Sequence, residues 1–398
     1  MAADITQQAE AYLQAMVDDL SISDTRYEQA ERSYKALGTW LGRPESTLFR
    51  YEPLVYVQGS FRLGTVIRPP SEDEDYDVDA ICELQRLRTS QLSQKKLKEM
   101  LEVEIRSYHR SQNMTKPVRE GRRCWVLNYA DGAQFHMDVV PCVPDADRQR
   151  RLLEASRQTS NFTNTAVAIT DNERWNYTIV DDDWCRSNPK AYATWFRQRM
   201  IVALNRRKQI LAEVAKAHVE DIPDYRVTTP LQAAIMILKR HRDVRFAGKP
   251  EDRPISIILS TLAAHAYGGQ ETIGAALLAI LNTMDQFVLN VGGKLVIPNP
   301  TDPLENFADK WESHPHRAKA FREWLQQARQ DFAYIAVQAD MQLITNSAAP
   351  AIGRELAERA LAKSSSGGRL RAASLAPVGA GLSFPATARV PTTPQGFA

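Results

Sequence analysis

Asp77 and Asp79 are the residues whose types and spacing best suit chemistry. Tyr76, Val78, Ala80, Cys82 and Leu84 alternate with Asp77, Asp79, Ile81 and Glu83. A period of two predicts a strand, with both carboxylates on one face, roughly 6.5 Å apart along the backbone. Carboxylates held side by side repel each other unless a cation sits between them. Hard divalent ions with oxygen ligands suit that gap, and the polyanion they accompany is a nucleoside triphosphate. Asp-x-Asp by itself more often marks a solvated strand face, here beside the acidic stretch Ser71 to Asp75. Apolar neighbours around each Asp and two further features shift the weight.

The first is Gln58-Gly59-Ser60, directly after the apolar run Leu54 to Val57, which predicts a buried strand. Gly59 lets a phosphate approach the backbone, and Ser60 supplies a hydroxyl. Amides of a helix starting there would point at an anion. Arg62 and Arg68 lie close by and are read as solvated. The second feature is Asp138. Residues 123–129 and 134–140 predict two strands around Ala130-Asp131-Gly132-Ala133, and Asp-Gly is a strong hairpin signal. Phe135, Met137 and Val139 share one face, leaving His136, Asp138 and Val140 on the other. A half-buried Asp needs a partner. Arg122 or Arg123 would serve. A place beside the first acidic strand would instead complete a three-carboxylate cluster, with His136 supporting it from outside.

The elements that must position these residues can be read in turn. Residues 5–20 and 24–42 predict helices, the second with Tyr27, Ala30, Tyr34, Leu37, Trp40 and Leu41 at helical spacing and Ser23 or Asp24 as cap. Residues 69–75 form a loop. Residues 90–110 predict an amphipathic helix whose Lys95, Lys96 and Lys98 face water. Asp181 to Asp183 read as an exposed loop. A long helix over about 189–218 opens at Asn188-Pro189, with Tyr192, Trp195, Phe196, Ile201, Leu204, Leu211 and Val214 inward. Helices follow from Thr229-Pro230, from Pro254-Ile255-Ser256, and over 270–290, 315–340 and 350–362. A proline-rich loop, Ile297 to Trp311, interrupts them. Beyond residue 363 Ser, Gly, Ala, Pro and Thr prevail, and such a tail buries too little apolar surface to order itself.

Bulk properties exclude several classes. The 398 residues are 43% hydrophobic and 25% charged, enough for a sizeable core. Net charge is +2, so neither a general nucleic-acid coat nor a membrane coat is implied. Cys82, Cys124, Cys142 and Cys185 are scattered without a CxxC, which argues against a zinc site or disulfide framework and for a reducing cytoplasmic setting. The N-terminus lacks signal-peptide features, and no uninterrupted apolar run reaches 18 residues. There is no P-loop motif.

The combination resembles a family. Gln58-Gly59-Ser60-Phe61-Arg62-Leu63-Gly64-Thr65, Asp75-Tyr76-Asp77-Val78-Asp79, the later strand Asp138, Leu238-Lys239-Arg240-His241-Arg242-Asp243, Pro254-Ile255-Ser256, and Asn299-Pro300 with Asn306 to Trp311 resemble the bacterial cyclic-oligonucleotide synthases. These are cGAS/DncV-like members of the polymerase-β-like nucleotidyltransferases, acting in CBASS antiphage defence. The resemblance spans about residues 20–345. It implies an α+β, bilobal fold: a mixed sheet with long N-terminal helices over 1–195, a helical lobe over 196–362 and a disordered tail over 363–398. It implies two Mg²⁺ ions (Mn²⁺ as substitute) on Asp77, Asp79 and Asp138, with Asp138 taking the proton of the attacking hydroxyl. Gln58, Gly59 and Ser60 would hold the triphosphate, Lys239 and Ser256 would make later phosphate contacts, and Asn306 would line the base pocket. Leu63 stands where some relatives carry a base-stacking aromatic. ATP and/or GTP would be the substrates, and a ubiquitin-like conjugation system a partner of the tail. The competing readings are a nucleotidyltransferase of the same fold that modifies RNA, protein or a small molecule, and a catalytically silent nucleotide-binding scaffold.

Overall fold

The computed structural model describes residues 5–69, 75–129, 135–216, 218–219 and 224–365. Residues 71–74 of the acidic stretch, residues 130–134 with the expected hairpin turn, and the residues from 366 onward lie outside the described residues. The chain opens with helices α1 (Gln7–Leu20) and α2 (Asp24–Leu41), then strand β1 (Pro53–Val57), short helix α3 (Gly59–Leu63) and strand β2 (Tyr76–Leu84). Helix α4 (Gln94–Ser111) leads into β3 (Arg119–Glu120), β4 (Trp125–Tyr129) and β5 (Phe135–Pro144). Helix α5 (Ala146–Ala155) and strands β6 (Val167–Ile169) and β7 (Cys185–Ser187) follow. Next come helices α6 (Pro189–Ala215), α7 (Pro230–Arg245), α8 (Ser256–Ala266) and α9 (Ile273–Thr283). Two ribbons, β8 (Leu289–Val291) with β9 (Lys294–Val296) and β10 (Pro298–Asn299) with β11 (Asp302–Asn306), precede α10 (Lys310–Ser313), α11 (Pro315–Ala336), α12 (Met341–Ile352) and α13 (Arg354–Ser365).

The large sheet runs β1-β2-β5-β4-β3, with β6 joined to β5 and β7 to β6. It is mixed: β2 and β5 are parallel, and the other pairs are antiparallel. The alternation read from β2 holds. Tyr76, Val78, Ala80, Cys82 and Leu84 enter one core with Phe135, Met137 and Val139 of β5. Ile81 faces the other side, packing with Cys142 and Val140. β1, expected to be buried, is an edge strand with Leu54 exposed, because β2 is its neighbour in the sheet order and helix α2 covers only part of it.

The helical half has a core of its own, built by α7, α8, α9, α11, α12 and α13. Helix α1 packs there too, through Tyr12, Leu13, Met16 and Leu20, although a boundary at residue 195 groups it with the sheet. Its sequence separation from those partners hides that docking. Four local expectations are corrected. Lys98 is 1% exposed rather than wet, because its ammonium meets the Gly121 carbonyl at 2.6 Å and Glu120 at 2.8 Å. Val214 is exposed, since the far end of α6 leaves the main core and keeps only a small cluster with Val227. The helix expected over 350–362 is two helices broken at Gly353, whose φ of 92° suits glycine. The second of them runs to Ser365, past the expected start of the tail.

Arg122 and Arg123, the alternative partners for Asp138, bind Asp171 instead, at 2.7 and 3.1 Å. Asp171 is fully buried, and its amide donates to Gln94 of α4 at 2.9 Å. Burial pushes its carboxyl up, but hydrogen bonds from Arg122, the Glu173 amide and Arg123 outweigh it and hold it at about 2. A depressed carboxyl stabilises the fold above its unfolded value and loses that contribution as pH falls through the folded one. Asp171→Asn is therefore expected to cost about 2 kcal/mol at neutral pH and progressively less between about pH 4 and 2. Denaturant titration of both proteins across that range checks this, and a pH-independent cost refutes the ion-pair account.

Candidate active site

The parallel pairing of β2 with β5 aligns Tyr76 with Phe135, Asp77 with His136, and Asp79 with Asp138. Inward residues therefore match inward residues, and the outward acids fall side by side. Next to them, the backbone amide of Gln58 donates to the Asp79 carbonyl at 2.8 Å, which ties the end of β1 to the acidic strand. Helix α3 starts at once with Gly59, as the Gly-Ser turn predicts. Gly59 has φ of 62°, and a Cβ there would lie 2.1 Å from Asp79 Oδ2. Both the conformation and the space demand glycine.

Like charges set the electrostatics. Burial, then Asp77 and Asp138, raise the Asp79 carboxyl to about 6. Burial also raises Asp138, partly offset by the Cys124 thiol, whose Sγ lies 3.4 Å from Asp138 Oδ2. The other oxygen, Oδ1, is buried without a hydrogen-bond partner. His136 Nε2 sits 2.8 Å from Asp77 Oδ1, and this contact, more than the opposing burial, raises the imidazole. Among the described residues no three His, Cys, Asp or Glu side chains close around one point. Asp77 leans to His136 and Asp138 to Cys124, while the strands hold all three carboxylates on adjacent positions. An orphaned buried carboxylate oxygen and a carboxyl burdened by two like charges are what divalent cations relieve, so the residues fit such ions.

Asp79, Gln58 and Gly59 line a cleft of about 230 Å³, with Arg62 and Leu63 of α3, Asn188 and Tyr192 of α6, Ile257 of α8, and Asn299, Glu305 and Phe307 near the ribbon. Ser60 is half-buried on the same helical turn. Three expected contacts stand elsewhere. Lys239 is 4% exposed, and its ammonium donates to the Thr65 carbonyl at 2.8 Å; burial, then Arg242, lower it to about 7. It lies close enough to Asp79 and Asp77 to feel their charge, yet it anchors a loop instead of lining the cleft. Ser256 Oγ accepts from Arg242 at 3.0 Å, and its neighbour Ile257 takes the cleft wall. The Asn306 side chain accepts from the Ile297 and Ala308 amides and donates to the Leu295 carbonyl, which holds the loop together. Glu305 and Phe307 flank it on the cleft. Sequence reading passed over Asn299, Glu305 and Phe307 as cleft residues because the ribbon's register was not visible in a proline-rich run. Arg62, whose sequence context predicts a solvated side chain, is exposed into the cleft.

A mixed sheet presenting carboxylates from adjacent strands beside a Gly-Ser helix is the arrangement expected of a polymerase-β-like nucleotidyltransferase fold. Residues 8–176 match the family described as Second Messenger Oligonucleotide or Dinucleotide Synthetase domain. The chain is 29% identical over 318 residues to a c-di-GMP synthase of Roseivirga ehrenbergii, covering 79% of this chain and 76% of that protein. It is 27% identical over 319 residues to the cyclic dinucleotide synthase CdnG of Bradyrhizobium diazoefficiens, covering 76% and 70%. Its fold matches the Bradyrhizobium diazoefficiens CD-NTase CdnG, solved in complex with GTP, with TM-score 0.66, 22% identity and coverage of 89% and 98%. It also matches the Vibrio cholerae DncV cyclic AMP-GMP synthase with TM-score 0.56, 13% identity and coverage of 90% and 98%. Residues 8–176 thus match the synthetase family, and the fold is like that of the solved CdnG and DncV.

Two outcomes follow from the geometry. In metal-free protein, a raised Asp79 carboxyl means that the folded state binds the extra proton between about pH 4 and 6. Stability is lost as pH rises through that window. Asp79→Asn should therefore be more stable than wild type by about 2 kcal/mol at pH 8 in EDTA, with the gap shrinking towards pH 4. An equal gap at every pH refutes the charge-crowding account. Gly59→Ala should reduce turnover by about 100-fold or more, because the displaced backbone or carboxylate loses its alignment; steady-state kinetics checks this.

Proposed function

We propose that this enzyme joins nucleoside triphosphates, GTP among them, into a cyclic dinucleotide with release of pyrophosphate. The observation that carries the reading is the in-register pairing of Asp79 with Asp138 on adjacent parallel strands, beside Gly59. The synthetase domain over residues 8–176 and the two cyclic dinucleotide synthases to which the chain is similar support it.

Asp77, Asp79 and Asp138 are the residues that would hold Mg²⁺, or Mn²⁺ in its place. Divalent ions supply two things at such a site: a lowered pKa for an attacking hydroxyl, and neutralisation of a triphosphate and its leaving pyrophosphate. The chain's own groups do the rest. Asp138 accepts the proton from a ribose hydroxyl of one nucleotide. That oxygen bonds to the α-phosphorus of the second nucleotide, the α–β phosphoanhydride bond breaks, and pyrophosphate leaves with the electron pair. The same event in the linear product closes the ring. Gly59 lets the triphosphate approach the backbone, with Ser60 offering a hydroxyl and Arg62 a charge. Leu63, Tyr192, Ile257 and Phe307 give the cleft its apolar walls. Lys239 acts by fixing Thr65, and through it the end of α3.

The product would serve as a second messenger to a separate effector in antiphage defence, as the resemblance implies. Cytoplasmic localisation agrees with scattered unpaired cysteines, and among the described residues no helix is long and apolar enough to cross a membrane. The tail beyond residue 363 would be the partner of a ubiquitin-like conjugation system, as the resemblance implies.

Incubation with each NTP and Mg²⁺ or Mn²⁺, followed by nuclease mapping and mass spectrometry, tests the reading. A cyclic product and pyrophosphate are expected, both abolished by EDTA. Asp77→Ala or Asp138→Asn should lower the rate by about 1,000-fold or more while circular dichroism stays unchanged. Undiminished synthesis by folded variants overturns the assignment.

A further inference from the structure

The far wall of the cleft has a built polar site that the transfer step does not use. Asn299 is 4% exposed, at the bend between β10 and β11. Its Oδ1 accepts from the Thr301 amide and hydroxyl, both at 2.9 Å. Its Nδ2 is thereby aimed at Glu305 and donates to Oε2 at 2.7 Å. Behind this pair, Arg186 holds the buried Asp302 at 2.8 Å. Glu305 is thus fixed from below, and among the described residues its Oε1 accepts no hydrogen bond. Ile257 and Phe307 line the same cleft with apolar side chains.

We infer that Glu305 is the base-selecting residue of the cleft and that it selects guanine. The inference rests on the nucleotidyl-transfer reading above. An ionised carboxylate only accepts hydrogen bonds. Guanine's Watson–Crick edge offers two adjacent donors, N1–H and the 2-amine, which match the two oxygens of one carboxylate. Adenine places the lone pair of N1 against an oxygen lone pair and leaves that buried acceptor unmatched, which costs more than an absent contact. Burial raises the Glu305 carboxyl, Asn299 opposes this, and guanine's two donors would favour the ionised form further. Ile257 and Phe307 supply the face on which a planar base lies.

The test uses the full chain with Mg²⁺ and reads pyrophosphate release from GTP, ATP and inosine triphosphate separately. Wild type should favour GTP over ATP, and should use inosine triphosphate about 10-fold less well than GTP because the 2-amine is missing. Glu305→Gln keeps an acceptor for Asn299 but pairs a donor with adenine N1. The GTP-to-ATP ratio of kcat/KM should fall by about 10- to 100-fold. A ratio left unchanged, or both substrates slowed alike, overturns the inference by assigning Glu305 a structural or ribose-binding role. Equal use of GTP and inosine triphosphate by wild type overturns it without any variant. A wild-type protein that releases no pyrophosphate from any NTP refutes the nucleotidyl-transfer reading itself.

Discussion

Everything at this site depends on two parallel strands placing like charges side by side. Asp79 faces Asp138 across the β2–β5 pairing, with Asp77 two residues before. Strand pairing by itself has no preference for that alignment. The inward residues impose it: Val78 sits opposite Met137 and Ala80 opposite Val139, all fully buried. A slip by one residue would turn this apolar row to the cleft and the acids into the core. Core packing thus provides the free energy that holds mutually repelling groups together. Burial first, and the repulsion from Asp77 and Asp138 after it, remain visible as a raised Asp79 carboxyl.

The helical half steadies the phosphate-facing turn from behind. Three side chains of α7 reach the end of α3 and the segment after it: Gln232 donates to the Leu63 carbonyl at 2.9 Å, Lys239 to the Thr65 carbonyl at 2.8 Å and Arg240 to the Arg68 carbonyl at 2.6 Å. Tyr27 of α2 closes the other side, stacking on Phe61 at 4.1 Å and donating to its carbonyl at 2.8 Å. Across the cleft, Lys190 at the start of α6 pairs with Glu83 of β2 at 2.7 Å. Loop positions that approach ligands are useful only when their supports are rigid. Here those supports come from two separate cores.

The sequence made the acidic strands, the Gly-Ser helix start and most helix caps legible, because each follows from local periodicity or a side chain bonding a nearby amide. Ser23 accepts from Arg26, and Asn188 from Ala191, as their positions predict. What was not legible depends on distant partners. Lys98 looks like one of a row of wet lysines until Glu120 and the Gly121 carbonyl are brought beneath it. Lys239 reads in the sequence as a phosphate contact, and only the fold shows that its ammonium meets Thr65. Asn306 and Glu305 are neighbours in the chain, and only the ribbon's fold decides that the first bonds the loop while the second faces the cleft.

Helix α1 has a bearing on how the chain is made. Tyr12 donates to the Ala357 carbonyl at 3.0 Å, and Asp19 pairs with Arg359 at 2.7 Å and Lys363 at 2.5 Å. Helix α1 therefore leaves a ribosome well before α13 and waits for it. The sheet, spanning residues 53–187, has its strand partners long before α13 is synthesised. Leu13, Met16 and Leu20 meanwhile remain without their final packing partners, a surface for chaperones to shield. A message truncated before α13 would yield a chain with its sheet complete and α1 missing one of its docking partners. Protein quality control would meet that product as an exposed apolar face, and full-length translation becomes a condition for escaping it.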